Sequence, residues 1–402
     1  MRMGADSIDL YSVSFWVFVA AAVLILLPIE SPRIRKWALA IVNLAFVGFY
    51  LRDRVVYIAG GLLAANAILH ALRPDRPRLA RVVFTLAGAI VLALFLIHKT
   101  PDLYVRYAAE ARSINPILAI VGFSYVALRW VEVSRSVFEG RSAPPDVPST
   151  INYLIPFHML AAGPIQAYDE FATQPAIRPP LGAVESLEAF ERIAAGLFKK
   201  YVLANIIEHL IKTDFRAGFP LFPIELQFNY IWLYLDFSAY SDIAVGIGRL
   251  IGAATPENFN RPYLARNMID YWERWHVSLS LFIRRNVFYP LQLALMRASG
   301  GSYQLGAASL AFAVSFLLCG LWHQVSWNWL AWGGYHAAGL VVCNAYRAFL
   351  LKRLGRKGLN RYMENRWIKW IMIVITFEYT AISLMLVTGK IADSFWWRGI
   401  RP

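Results

Sequence analysis

One histidine invites chemistry before any other residue. His323 stands in the run Gly320-Leu321-Trp322-His323-Gln324-Val325-Ser326-Trp327-Asn328-Trp329, between the apolar stretches Leu305–Leu318 and Trp329–Ala345. An imidazole inside hydrocarbon is costly unless it faces the protein interior or a wet cavity, and such residues mark reactions or transport paths. Near neutral pH it takes up or releases a proton, so proton transfer in a reaction is the first expectation.

A second histidine lies among arginines. Asn258 to Ser280, followed by Phe282-Ile283-Arg284-Arg285, interleaves arginine, aromatic and amide side chains around His276. The pattern lacks the purity of a spanning helix and predicts an interfacial or re-entrant element. Arg261, Arg266, Arg274, Arg284 and Arg285 fall within 25 positions. The guanidinium fork matches phosphate, although lipid-headgroup anchoring explains such a cluster equally well. A third block, Tyr234 to Arg249, sets Asp236 and Asp242 six residues apart in an otherwise membrane-compatible helix. Such carboxylates need partners inside the protein, and a polar network that positions helices is favoured over direct catalysis. Gly246 and Gly248 are expected to allow close helix packing, since no strand precedes them as a phosphate cradle would require. His158, beside Gly163-Pro164, is expected to be held by hydrogen bonds; His336 and the helical cysteines Cys319 and Cys343 read as packing residues. The cysteines offer neither a disulfide framework nor a metal pattern.

The elements that position these residues belong to a membrane. Apolar residues make up 58% of 402 and charged residues 16%, too few charges for a soluble surface of this size. Apolar runs recur at Tyr11–Ile29, Val55–Leu72, Leu79–Ile97, Pro116–Val131, Ile193–Ile211, Ile231–Ile251, Leu305–Leu321, Trp329–Ala345 and Ile368–Val387. Several reach the ~20 residues that cross a bilayer. With the shorter segments Trp37–Leu51 and Phe282–Leu295, an all-α polytopic membrane protein of roughly ten to twelve membrane-embedded helices is expected, some not fully spanning. The first run carries Asp6 and Asp9 in its flank and reads as a retained helix, not a signal peptide. The basic loops Ser31–Lys36 and Arg73–Arg81 share a side, cytoplasmic by the positive-inside rule, which puts the N-terminus outside. The net charge of +14 is then mostly topogenic, and no basic module for nucleic acid is visible. One membrane domain spans 1–402: an N-terminal helical scaffold at 1–115, a functional core at 116–349 rich in buried polar groups, and a C-terminal helix and tail at 350–402. Arg135–Ser149 and Tyr168–Ser186 are expected to be loops, the first for Pro144, Pro145 and Pro148, the second for Pro175, Pro179 and Pro180.

At these blocks the chain resembles the membrane-bound O-acyltransferase superfamily, most of all its bacterial branch with the alginate O-acetylation and teichoic-acid D-alanylation membrane proteins. The resemblance rests on Ala162-Gly163-Pro164-Ile165, Asp236-Phe237-Ser238-Ala239-Tyr240-Ser241-Asp242, Asn258-Phe259-Asn260-Arg261-Pro262-Tyr263, Arg274-Trp275-His276-Val277-Ser278-Leu279-Ser280 and Leu321-Trp322-His323, with a weaker echo in Gly122-Phe123-Ser124-Tyr125. It implies that His323 is the active-site histidine and His276 the second polar residue of the site, and it implies a ring of helices around a central funnel or tunnel. Two departures bear on donor and acceptor: Arg285 stands where an aspartate is usual, and Gln324 where a glycine commonly follows Trp-His.

The resemblance and the residues together predict transfer of an acyl group, acetyl before D-alanyl or longer chains, from a cytoplasmic thioester to an extracytoplasmic hydroxyl. The donor is an acyl-CoA or an acyl-carrier protein, with no bound cofactor and no metal. Such transfer needs a base for the hydroxyl proton and stabilisation of the oxyanion. His323 would be the base, and His276 or Asn328 would support the oxyanion or orient the acceptor. Trp322, Asp236 and the five arginines complete the expected substrate-binding set. No nucleophile elbow or cysteine nucleophile is evident, so direct transfer is simpler than a covalent enzyme intermediate. Expected partners are membrane lipids and either a glycan acceptor or an extracytoplasmic partner acyltransferase, at a bacterial inner membrane. A proton-coupled transporter, or a scaffold that only anchors an acyltransferase, would use the same intramembrane charges differently.

Overall fold

The computed structural model describes residues 12–51, 55–100, 122–173, 182–213 and 222–388. Asp6, Asp9, the start of the run at Pro116 and the prolines Pro175, Pro179 and Pro180 lie outside them. Among the described residues every regular element is helical, apart from an isolated bridge between Phe259 and Trp275. The first four helices are α1 (Val13–Leu26), α2 (Pro32–Leu51), α3 (Val55–Ala71) and α4 (Pro77–Lys99). Then come α5 (Phe123–Phe138), α6 (Val147–Leu154), α7 (Tyr168–Thr173) and α8 (Ala183–Phe198), the last continuing through a π-helical stretch at Lys199–Ala204 into α9 (Asn205–Thr213). The long α10 (Phe222–Leu250) precedes three short helices, α11 (Met268–Trp272), α12 (Val277–Ile283) and α13 (Tyr289–Ala298). The last described elements are α14 (Gln304–His323), α15 (Trp327–Glu364), α16 (Arg366–Ser383) and α17 (Met385–Thr388).

Among the described residues three helical stretches are long and apolar enough to cross a membrane: Pro77–Lys99, Gln304–His323 and Arg366–Val387. Only 6% of the apolar window of α4 is buried by protein, and Val82, Leu86, Ile90 and Leu92 are all exposed. A stripe of that kind needs lipid to cover it. The sequence predicts a loop over Arg135–Ser149; the helices claim both ends of it, because Asp146 caps α6 by accepting the Ser149 N–H at 3.1 Å.

The residues form two compact units, Met1–Gly196 with Tyr240–Pro256, and Leu197–Ala239 with Glu257–Pro402. In the first, Arg129 is 1% exposed and donates to three main-chain carbonyls, those of Leu154, Met159 and Pro164. These bonds fix the irregular chain around Gly163-Pro164, whose carbonyls have no helix to serve. His158 sits in the same turn and meets the Thr255 hydroxyl at 3.0 Å through Nε2. Asp242 pairs with Arg192 at 2.6 Å, and Gly246 lets α10 approach α8 so closely that a Cβ there would lie 2.8 Å from the Ala189 carbonyl. Both features make Asp242 and Gly246 packing devices.

In the second unit α14 and α15 form a tight antiparallel pair. A Cβ on Gly320 would fall 2.1 Å from the Trp329 carbonyl, and one on Gly333 would fall 2.3 Å from that of Phe316. Backbone meets backbone at the end of the pair that carries His323. At its far end α15 is broken: Gly355 has φ 64° and ψ 176°, a conformation open in practice only to glycine. The break folds the chain back on itself. Tyr346 and Tyr362 would stand ~24 Å apart on a continuous helix, yet their hydroxyls are 2.9 Å apart. Asn365 then caps α16 by accepting the N–H groups of Trp367 and Ile368. Replacing Gly355 with alanine is expected to cost about 1–3 kcal/mol through backbone strain alone, since nothing crowds its Cβ position. The check is the thermal midpoint of the detergent-solubilised protein, and an unchanged midpoint would show that the break tolerates a side chain.

Candidate functional site

All ten of the sequence-predicted site residues lie in the second unit. Between α10 and α12 the chain doubles back, and Asn258 pins the reversal. Its main-chain carbonyl accepts the Val277 N–H at 2.9 Å, and the Asn260 N–H donates to the Arg274 carbonyl at 2.9 Å. Its side-chain oxygen accepts the Ser278 hydroxyl at 2.6 Å and the Ser278 N–H at 3.4 Å. These bonds hold His276 in a left-handed conformation, φ 43° and ψ 52°, that a non-glycine residue adopts only under constraint.

The geometry also fixes the state of that ring. A main-chain N–H can only donate, so the Asn258 atom facing Ser278 is its oxygen, and His276 Nδ1, 3.3 Å from the same oxygen, must carry the hydrogen. Nε2 is left as the acceptor nitrogen. His276 is 3% exposed and sits with its ring edge-on to Phe237, and burial pushes its pKa down to about 3. It is a neutral imidazole with a defined tautomer.

His323 is the last residue of α14, immediately before the turn into α15. It stacks on Trp329 with ring centroids 4.4 Å apart and planes 13° from parallel. Trp322 and Trp332 meet it edge-on at 4.6 and 5.4 Å. The imidazole is half-buried, unlike that of His276. Ser326 caps α15 by accepting the Trp329 N–H, which seats the stacked ring. Asn328 is exposed on the first turn of α15, where helical N–H groups lack intrahelical partners. Aromatic contacts lead from one histidine's surroundings to the other's: Trp275 stacks on Tyr271, Tyr271 meets Trp272, and Trp272 meets Trp332.

Four of the five arginines separate into two kinds. Arg274 is paired with Asp270 at 2.6 Å and Arg284 with Glu273 at 3.3 Å. Arg261 and Arg266 have no carboxylate on their guanidinium groups among the described residues. Arg285 is half-buried in the π-helical turn Arg284–Phe288. Asp236 is ion-paired with Lys200, itself in a π-helical stretch, so its carboxylate ties two helical segments of the unit together. His336 is 1% exposed between Trp272 and Trp332, and neither ring nitrogen has a partner among the described residues. His209 is exposed on α9. Among the described residues no group of three His, Cys, Asp or Glu side chains could hold a metal ion. Sequence reasoning missed the stacking of Trp329, the seat it finds against Gly320, and the service Asn258 gives His276. The glycine and the capping serine were the available signals for the first two; the third joins residues 18 positions apart and has no periodic signature.

Comparison with known proteins bears directly on this arrangement. The model of the membrane-bound O-acyltransferase family matches residues 84–386, a stretch that contains both histidines and all five arginines. The chain is 26% identical over 317 residues to the teichoic acid D-alanyltransferase of Streptococcus thermophilus, covering 76% of this chain and 74% of that one. It is 24% identical over 388 residues to a probable alginate O-acetylase AlgI of Pseudomonas aeruginosa, covering 92% and 69%. Over 156 residues it is 35% identical to the peptidoglycan O-acetyltransferase of Helicobacter pylori, covering 38% and 28%. With a family match over most of its length, this chain belongs to the membrane-bound O-acyltransferase family, a polytopic membrane enzyme whose reaction is O-acyl transfer.

Proposed function

We propose that this enzyme moves an acetyl group from a cytoplasmic thioester, acetyl-CoA or an acyl-carrier protein, to a hydroxyl on an extracytoplasmic glycan or envelope polymer, at a bacterial inner membrane. The observation that carries the site assignment is His323: a half-buried imidazole at the end of an apolar spanning helix, clamped by three tryptophans. In this reading His323 takes the acceptor's hydroxyl proton as its oxygen attacks the thioester carbonyl. The tetrahedral oxyanion is met by donors at the start of α15, the Asn328 amide among them. It collapses by expelling the thiolate, which recovers the proton from His323. In this reading the Nε2 lone pair of His276 accepts a hydrogen bond from a substrate N–H or O–H and orients it. A lone pair there would repel an oxyanion, which leaves that task to Asn328. Asp236, held by Lys200, positions helices. D-alanyl transfer is the second reading, favoured by the similarity to teichoic acid D-alanyltransferases.

Helix lengths support an extracytoplasmic reaction. The 20 residues of α14 rise ~30 Å, about one hydrocarbon thickness. Arg297 precedes α14, and Arg347 to Lys369 lie at the far end of the return helix. If these basic ends are cytoplasmic, His323 stands toward the other face. The unpaired Arg261 and Arg266 remain the best candidates for the donor's phosphates, because charge-assisted arginine bonds to phosphate are strong.

His323→Ala is expected to lower acyl transfer by about 10²–10⁴ with insertion unchanged, and a variant keeping over half the activity would sink the assignment. His276→Ala should also cripple turnover, whereas His336→Ala and His209→Ala stay mild; an essential His336 beside a dispensable His276 would mean that the wrong pair was chosen. The double variant Arg261→Gln/Arg266→Gln should raise KM for acyl-CoA, or weaken carrier-protein docking, with kcat little changed. Unaltered donor kinetics would return those arginines to lipid anchoring. Sidedness is testable in sealed vesicles of known orientation with labelled acetyl or D-alanyl donor confined to the cytoplasmic side. Product on the opposite side is expected, and product only on the donor's side would refute transfer across the bilayer.

A further inference from the structure

The fold-back at Gly355 creates a feature that acyl transfer does not use. A cleft of about 480 Å³ lies between the Arg266–Arg274 segment, the end of the long arm of α15, its short return arm and the first turn of α16. Its charged lining is Arg266, Arg274, Arg347 and Lys369, with Asp270 and Glu273. Both carboxylates are already committed, Asp270 to Arg274 and Glu273 to Arg284. Arg266, Arg347 and Lys369 have no salt bridge among the described residues, so the cleft carries uncompensated positive charge. Tyr346 and Tyr362 also line it, and their mutually bonded hydroxyls leave one hydrogen to donate. The rest of the lining is greasy: Leu350, Leu359, Met363 and Met372 face it. Cations converging beside an apolar wall are the chemistry of an amphiphilic anion.

Its surroundings choose which anion. From Arg347 to Lys369 the sequence holds eight cations against the single acid Glu364, the density that draws a segment to anionic lipid. Trp367 and Trp370, at the start of a candidate spanning helix, are 75% and 50% exposed, and tryptophan in that position marks the headgroup level. Phe349, Leu351 and Leu354 are also exposed on the arm before the break. The cleft therefore opens where lipid phosphates lie, with apolar surface running from it into the hydrocarbon. We propose that it is a binding site for an anionic phospholipid of the cytoplasmic leaflet, its phosphate held by Arg347 and Lys369 and its acyl chain lying along the apolar wall.

The experiment is lipid retention by the full-length protein, purified in detergent, exposed to equal phosphatidylglycerol and phosphatidylcholine and read by native mass spectrometry. Selective retention of phosphatidylglycerol is expected. Arg347→Gln and Lys369→Gln should each reduce it roughly fivefold, and Arg347→Lys with Lys369→Arg should keep it, which separates charge from folding. The pair Arg353→Gln/Arg356→Gln, outside the lining, should leave retention in place. Equal retention of both lipids, or equal loss in the outside pair, would reduce the effect to general surface attraction and overturn the site. Displacement of the lipid by acyl-CoA would overturn it too, by giving the cleft to the donor.

Discussion

The side-chain oxygen of Asn258 is the contact on which the geometry of the candidate site depends. It draws the Ser278 hydroxyl, the Ser278 N–H and His276 Nδ1 to one point. Together with the main-chain bonds on either side of it, this contact holds the histidine in a left-handed conformation, and it fixes the tautomer as well. Loss of a buried acceptor shared by several donors leaves each of them unsatisfied, which costs more than any one bond contributes. Such a point is stiff because it is over-determined, and stiffness is what the proposed role of His276 needs.

The same demand for internal satisfaction runs through both units, each in its own way. In the first, Arg129 gives its guanidinium hydrogens to carbonyls that irregular chain leaves open. In the second, polar groups are fewer and rings do the positioning: His323 is held by tryptophan faces and edges, a surround that fixes its orientation. His336 shows the cost of the reverse. It is fully surrounded by aromatic rings with both nitrogens unpartnered among the described residues, which suits a packing residue better than one that handles protons.

Much of this was legible in the sequence, for identifiable reasons. Apolar runs such as Leu305–Leu321 became helices nearly as bounded, because a run that long has no other way to satisfy its backbone in hydrocarbon. The structural role foreseen for Asp242 and the packing role of Gly246 followed from the price of an unpaired intramembrane charge and from the absence of a strand. The arginine cluster was legible as a cluster only. Which arginines are spent on Asp270 and Glu273 depends on i,i+4 geometry within a short helix and on a neighbour 11 positions away, and sequence density is blind to both. Hidden too was the break at Gly355, since a lone glycine in a basic helical pattern gives no sign of whether it bends or continues.

Glycine does opposite work at the two ends of α15, and the difference divides the helix into a half that carries the candidate site and a peripheral half. At Gly333, with Gly320 of the facing helix, the missing Cβ removes space: backbones meet and nothing between them can shift without moving His323 or Trp329. At Gly355 the missing Cβ adds freedom, and the chain spends it on a reversal that no other residue would permit there. Tight packing suits the end where sub-ångström placement decides rate. The reversal sits at the end where six cations, Arg347 to Arg361, are spread over two arms instead of along one straight helix. A single element thus joins a tightly packed candidate site to a charged hairpin, and a residue without a side chain makes each half what it is.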